Sequence, residues 1–235
     1  MRKLTATLCL TIAVLLGSVG CQTTSLVSYS GVSGGKLPPC KGHPNKQSGS
    51  YPLWTMCNGS YQLSNGENYV GAIIGGKPHG LGTITFSAPH EYTGHKQDGE
   101  FFDGEFVKGT VTISAPHPEA GQKQVGEFRE GKLQKGTLTF SAPHRLAGEK
   151  QVGKFIDGKL YGNIVVKWHA PHAWAGQTYT GEARDNTRHG LGLQTYPDGR
   201  VDEGVWQNNA FIETQKLTSE FLSKIREETE VSLDD

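Results

Sequence analysis

Ser87-Ala88-Pro89-His90, Ser114-Ala115-Pro116-His117, Ser141-Ala142-Pro143-His144 and His169-Ala170-Pro171-His172 are four near-copies of one tetrapeptide. Their histidines recur at intervals of 27, 27 and 28 residues. A period of that size marks one small supersecondary unit copied along the chain, each copy contacting mainly its neighbours. Such a chain has no single globular core with one cleft. The functional expectation therefore moves from catalysis toward surface binding.

Working outward from the tetrapeptides, the glycines align the whole unit. Gln97-Asp98-Gly99-Glu100-Phe101 recurs as Gln124-Val125-Gly126-Glu127-Phe128 and Gln151-Val152-Gly153-Lys154-Phe155. An acidic-Gly pair follows each time, at Asp103-Gly104, Glu130-Gly131 and Asp157-Gly158. A second run then begins on glycine: Gly109 to Ile113, Gly136 to Phe140, Gly162 to Val166. Two short alternating runs joined by a Gly-bearing turn predict a β-hairpin. Period-2 geometry puts Gln124, Gly126 and Phe128 on one face, and Leu138 with Phe140 on one face of the partner strand. Glycine is unfavourable inside a strand, so the expectation is that an aromatic or branched side chain from an adjacent strand lies over each gap.

Tyr69-Val70-Gly71 with His79-Gly80-Leu81-Gly82 resembles the MORN repeat (membrane occupation and recognition nexus). Tyr179-Thr180-Gly181 with His189-Gly190-Leu191-Gly192 and Asp198-Gly199 resembles it equally. The three middle copies depart from the pattern: Gln97, Gln124 and Gln151 replace the leading tyrosine, and the Ala-Pro-His segments lengthen the unit. The resemblance covers roughly residues 57 to 211. It implies an all-β fold: an elongated, single-layer solenoid of antiparallel β-hairpins. A dozen strands ~4.8 Å apart would make a body ~55 Å long. Leu217, Phe221, Leu222 and Ile225 form an apolar helical face in the tail, expected to be a capping α-helix over the terminal sheet edge.

Upstream of the repeats, Arg2 and Lys3 precede an uncharged, mostly apolar stretch from Leu4 to Gly17. It is shorter than the ~20 residues a spanning helix needs and suits a signal segment. Ser18-Val19-Gly20-Cys21 resembles the bacterial lipobox, with Ser18 departing from it. The resemblance implies that Cys21 is lipidated after cleavage, against a plain signal peptide cut before Gln22 or a cysteine that is merely exported. Gln22, where an aspartate would resemble an inner-membrane retention signal, points to the outer membrane. The domain reading is a signal peptide over 1–20, a flexible tether over 21–50, the repeat domain over 51–211, and a helix and tail over 212–235. Of the four cysteines, Cys9 leaves with the signal peptide. Cys40 and Cys57 remain in an oxidising compartment, which favours a disulfide over a two-cysteine metal site.

Lys plus Arg equals Asp plus Glu, 23 each, so no basic face marks a nucleic-acid partner. No nucleophile elbow, His-Glu-x-x-His, phosphate loop or Cys-x-x-Cys is present. Equivalent histidines in successive hairpins would stand two strands apart, ~9–10 Å, too far to share an ion held at ~2.0–2.1 Å. The proline before each histidine suggests a fixed turn, with the imidazole packed on or beside the next copy. The expectation is a lipid-anchored, non-enzymatic envelope protein without a cofactor or metal. Its repeat surface would bind or scaffold another envelope protein, a lipid headgroup or a glycan. His90, His117, His144 and His172, with Trp168 and Trp174, are the candidate contacts. The alternative is an envelope hydrolase or metal-handling protein using the His-rich rim.

Overall fold

The structure is a computed structural model, and it describes residues 37–41, 54, 56–63 and 65–229. The signal segment, Cys21 and the last six residues lie outside the described residues. Thirteen strands form one antiparallel sheet in which each strand pairs with the next in sequence. They are β1 (Cys57–Gln62), β2 (Glu67–Ile74), β3 (Lys77–Phe86), β4 (His95–Phe102), β5 (Glu105–Ile113), β6 (Gln122–Arg129) and β7 (Lys132–Phe140). Then follow β8 (Glu149–Ile156), β9 (Lys159–Trp168), β10 (Thr178–Arg184), β11 (Thr187–Thr195), β12 (Val201–Gln207) and β13 (Ala210–Thr214). One helix, α1 (Ser219–Thr229), closes the described chain. The all-β hairpin repeat expected from the spacing is what forms.

Two kinds of connection alternate. Within hairpins, Asp103-Gly104, Glu130-Gly131, Asp157-Gly158 and Asp185-Asn186 have positive φ at both residues. That is the two-residue turn whose twist matches the strands it joins. Between hairpins run the Ala-Pro-His loops, each with a cis Ala–Pro bond. The loops stack on one another: Ser114 N donates to Gly94 O at 2.9 Å, Ser141 N to Gly121 O at 2.8 Å and His169 N to Gly148 O at 2.7 Å.

The register aligns glycines across the sheet. Gly59, Gly71, Gly82, Gly99, Gly109, Gly126 and Gly136 face one another strand by strand, and Gly181, Gly192 and Gly204 continue the row. On β9 the row is broken. Gly162 pairs with Ala183, and Ile164 stands opposite Gly181, because the last interval is one residue longer than the two before it. The alignment of Gly162 with Gly109 and Gly136 is corrected accordingly.

One face of the sheet, here the inner face, carries the apolar core. Tyr61, Tyr69, Phe101, Phe106 and Phe128 form a chain of ring contacts with centroids 4.9–5.5 Å apart. Leu133, Phe155, Leu160, Ile164 and Val166 carry it on to Tyr179 and Trp206. No second sheet covers these side chains among the described residues. They shield one another from hairpin to hairpin, the only way a single layer can bury area.

Both ends depart from expectation. Residues 37–41, read as part of a flexible tether, run along β1 instead: Cys40 N donates to Asn58 O and Asn58 N to Pro38 O, each at 2.8 Å. A disulfide joins Cys40 to Cys57, and Trp54 Nε1 donates to Lys41 O at 3.0 Å. The first edge is thereby covered. At the other end α1 forms, with Phe221 N donating to Thr218 Oγ1 at its start, but it does not lie on β13. It packs on β8, β9 and β10, where Asn163 Nδ2 donates to Glu228 Oε2 at 3.0 Å. Asn163 alternates with the inward Ile164, so α1 occupies the outer face. Val152, outward on β8, is buried there, whereas Val125 at the same place on β6 is half-exposed. The edge strand β13 is blunted by other means: it is five residues long, and its pairing with β12 is bulged at Val205/Trp206.

Candidate functional site

The two rims and the inner face between them each bring side chains of successive repeats together. On the loop rim, each Pro-His histidine is built into its own loop. Nδ1 of His90, His117, His144 and His172 accepts the main-chain N–H two residues on, at 3.0–3.1 Å. An accepting Nδ1 leaves the ring proton on Nε2. His90 and His144 also pack on the aromatic ending the preceding strand, with ring centroids 4.6 Å from Phe86 and 4.5 Å from Phe140. The proline-fixed turn and packed imidazole read from the sequence describe these loops.

From His117 on, each imidazole meets the copy before it, an arrangement that a single copy does not contain. His144 Nε2 lies 3.0 Å from Glu119 Oε2 and 3.5 Å from Gln122 Nε2. This contact holds the Glu119 carboxyl below its ordinary range. His172 Nε2 lies 3.7 Å from Glu149 Oε2, which also accepts from Trp168 Nε1 at 3.1 Å. At the first joint the partner is another imidazole: His95 and His117 meet with ring centroids 4.5 Å apart. Burial, then the charges of His117 and His90, push His95 down to about 4, and its Nε2 is buried without a partner. Acidic residues do stand beside the Pro-His segments, supplied 23 to 25 residues upstream. The partners come from two places in the sequence: the column five residues after each histidine (His95, Gln122, Glu149) and, for His144, Glu119 two residues after His117.

Of the candidate contacts, His144 and Trp168 are buried and His90, His117 and His172 half-buried, while Trp174 is 48% exposed. Trp174 packs edge-on against Trp168 and His172. The row is thus tied into the joints between copies, and Trp174 is its open member. Among the described residues no three His, Cys, Asp or Glu side chains are grouped to hold a metal. Cys21 lies outside the described residues.

The inner face differs between end and middle copies. In the β2–β3 hairpin the Tyr69 ring lies across Gly71 and Gly82, and its hydroxyl donates to Ala72 O at 2.6 Å. In the β10–β11 hairpin Tyr179 does the same over Gly181 and Gly192, donating to Glu182 O at 2.8 Å. Burial pushes the Tyr69 hydroxyl up to about 12 and raises that of Tyr179 as well. These two copies satisfy the expectation of a ring over the glycines. In the middle copies it holds at Gly153, over which the branched Ile164 of β9 lies, and is corrected at Gly99, Gly109, Gly126 and Gly136, which the main chain of the facing strand crowds.

Gln97, Gln124 and Gln151 occupy the tyrosine position, two residues before the glycine and opposite the same place on the partner strand. The last two turn away from the glycines toward the loop rim, Gln124 donating to Gln122 Oε1 and Gln151 to Glu149 Oε1. Between hairpins β6–β7 and β8–β9 this leaves a cavity of about 350 Å³. Gln124, Gln151, Leu133, Leu138 and Phe155 form its floor. Glu119, His144 and Arg145 bound it at the loop rim, and Lys132 and Asn186 at the turn rim. Its size falls in the range of binding clefts, as does its mix of apolar floor and few convergent polar groups. The glutamine substitutions were visible in the sequence, but not the space they open.

The MORN repeat family matches residues 69–88 and 179–199, the two hairpins in which a tyrosine covers the glycine pair. No curated protein matches the chain.

Proposed function

We propose that this chain is a non-enzymatic, lipid-anchored protein of the bacterial cell envelope, whose inner sheet face binds another protein. MORN repeats generally bind proteins or membranes. The observation that carries the reading is the cavity over Gln124 and Gln151, an unfilled stretch on a face that tyrosines fill in the flanking copies. The anchor rests on the lipobox-like Ser18 to Cys21 and on Gln22, which favours the outer membrane. Cleavage and acylation there would leave the sheet tethered and facing an aqueous, oxidising space, where a Cys40–Cys57 bridge persists. A chain with balanced charge held by acyl chains needs no membrane contact from its repeats.

Two measurements test this. Mass analysis of the protein extracted from its host should find a diacyl or triacyl Cys21 at the mature N-terminus; an unmodified N-terminus refutes the anchor. Photo-crosslinking groups placed in intact cells at Gln124 on the inner face and at Thr112 on the outer face should capture a partner at the first and not the second. Equal capture at both, or none at Gln124, refutes the inner face as the platform.

A further inference from the structure

We propose that the contact between His95 and His117 is an acid-released joint: as the pH falls, the β5–β6 loop parts here from the β3–β4 loop, while the next two joints along the loop rim stay closed. The inference goes beyond the binding reading above and does not depend on it. Three joints link the four Ala-Pro-His loops, and the first is built from different chemistry. At the second and third, an imidazole faces a carboxylate: His144 meets Glu119 at 3.0 Å and His172 meets Glu149 at 3.7 Å. At the first, His95 stands where Glu149 stands in the third, five residues after a Pro-His histidine. The ring of His117 meets it edge-on, with centroids 4.5 Å apart.

The surroundings of His95 oppose a charge on it. The β3–β4 loop faces it with His90 and Tyr92, the Tyr92 ring at 5.4 Å, and β3 adds Phe86 at 6.5 Å. The β5–β6 loop adds His117, and Ile113 stands opposite on β5. Lys96, next in sequence, is paired with Asp98 at 3.2 Å. The charges that act on His95 are those of two further imidazoles, His117 and His90, and its Nε2 is buried without a partner. Neither neighbour takes up a proton without loss. Nδ1 of His90 and of His117 accepts a main-chain N–H, at 3.0 and 3.1 Å, and a charged ring would turn a donor toward that donor. Glu119, two residues after His117, is committed to His144. A proton is therefore accommodated only by moving these rings into water. The closed joint is favoured at neutral pH and is lost as the pH falls from 7 toward 4, the direction set by a folded value below the unfolded one. The second joint behaves differently. His144 holds the Glu119 carboxyl below its ordinary range, so it is still ionised when His95 begins to charge, and a carboxylate draws a charged imidazole more strongly than a neutral one.

The test uses the full chain in detergent. Amide hydrogen exchange near pH 7 and near pH 5, corrected for the intrinsic rate, is followed at the main-chain bonds that tie loop to loop. These are Ser114 N at the first joint, Ser141 N at the second and His169 N at the third. Opening at Ser114 should rise about tenfold more than at the other two, the factor expected from a pKa of about 4 against 6.5 after allowance for the partial exposure of the ring. His95→Gln, which supplies the residue that Gln122 provides on β6, should remove the difference. His95→Glu, which sets the carboxylate of the third joint opposite His117, should remove it as well, and it serves alone should His95→Gln not fold. Equal rises at all three amides, no rise at Ser114, or a rise there that survives in either folded variant overturns the inference.

Discussion

Replacing Gly82 with alanine isolates the contact that defines the end copies. Gly82 lies outside the left-handed region, so the added methyl strains no backbone. Its position would be 2.4 Å from Tyr69 Oη, 2.5 Å from Cε2 and 2.7 Å from Cζ. The ring cannot yield freely: Tyr69 is fully buried, with Tyr61 at 5.3 Å on one side and Phe101 edge-on at 5.5 Å. Displacing it by the ångström needed costs about 1–3 kcal/mol in overpacking. Losing the hydroxyl bond to Ala72 O adds about 1–3 kcal/mol for a buried group left unpaired. Alanine returns about 0.4–1 kcal/mol by restricting the unfolded chain. The net loss is about 1–5 kcal/mol, which for a domain of this size lowers the melting temperature by roughly 2–20 °C. Thermal unfolding followed by near-ultraviolet circular dichroism would read it. A double-mutant cycle sharpens the reasoning. In a Tyr69→Leu background Gly82→Ala should cost under about 1 kcal/mol, because the obstacle has gone. Gly136→Ala, blocked by Val125 O at 2.0 Å, should stay costly whatever stands at Gln124. A Gly82→Ala protein melting within a degree of wild type would refute the account, as would a Tyr69→Leu background that fails to relieve it.

Three further outcomes are expected. His95 has a folded pKa of about 4 against 6.5 unfolded, so the unfolded chain binds the extra proton between those values and stability falls as pH drops from 7 toward 4. After allowance for the partial exposure of the ring the loss is about 1–2 kcal/mol; His95→Gln, the residue at the matching position on β6, should flatten the melting temperature across that window. Cys40→Ser with Cys57→Ser should cost about 3 kcal/mol, the loop-closure value for their separation of 17, and hydrogen exchange should rise first in β1; unchanged exchange there would contradict the edge-covering role. Ile225→Ala, at the fully buried centre of α1, should cost about 2–5 kcal/mol and expose β8 to β10 to exchange, leaving β12 and β13 as they were; loosening of β13 instead would return the helix to the sheet edge.

The period, the glycine columns and the acidic-Gly turns made the hairpins legible, because strand alternation and tight turns are local and each recurs several times. The placement of α1 was not legible. Phe221, Leu222 and Ile225 announce an apolar helical face but carry no address, and the patch that α1 covers is set apart from the other copies by valine at 152 and 165 and asparagine at 163. Nor could one copy, read by itself, show that His144 and His172 take their carboxylates from the copy before. Lateral partners in a stacked fold stand a full repeat away in sequence. Ile164 in the glycine row is not legible for a similar reason: a one-residue lengthening of the interval shifts the register by one position, and only strand pairing shows which residue has slid into line.

The glutamines carry a thermodynamic argument about where function resides. A tyrosine ring at positions 97, 124 and 151 would bury some 150–250 Å² of mostly apolar area, worth roughly 2–3 kcal/mol per copy. The flanking copies make this gain with Tyr69 and Tyr179. Three consecutive copies forgo it, and where two of them adjoin, the amides turn to the loop rim and leave a cavity. Meanwhile the same hairpins are strengthened elsewhere: by α1 on the outer face of β8 to β10, and by the His144–Glu119 and His172–Glu149 contacts at the joints. Support on the outer face and rim lets the inner face stay unfilled without the repeats separating. A fold selected for stability alone would place the ring where its own sequence shows that it fits. The open face over Gln124 and Gln151, rather than the histidine row embedded in the joints, is therefore the surface from which recognition is expected.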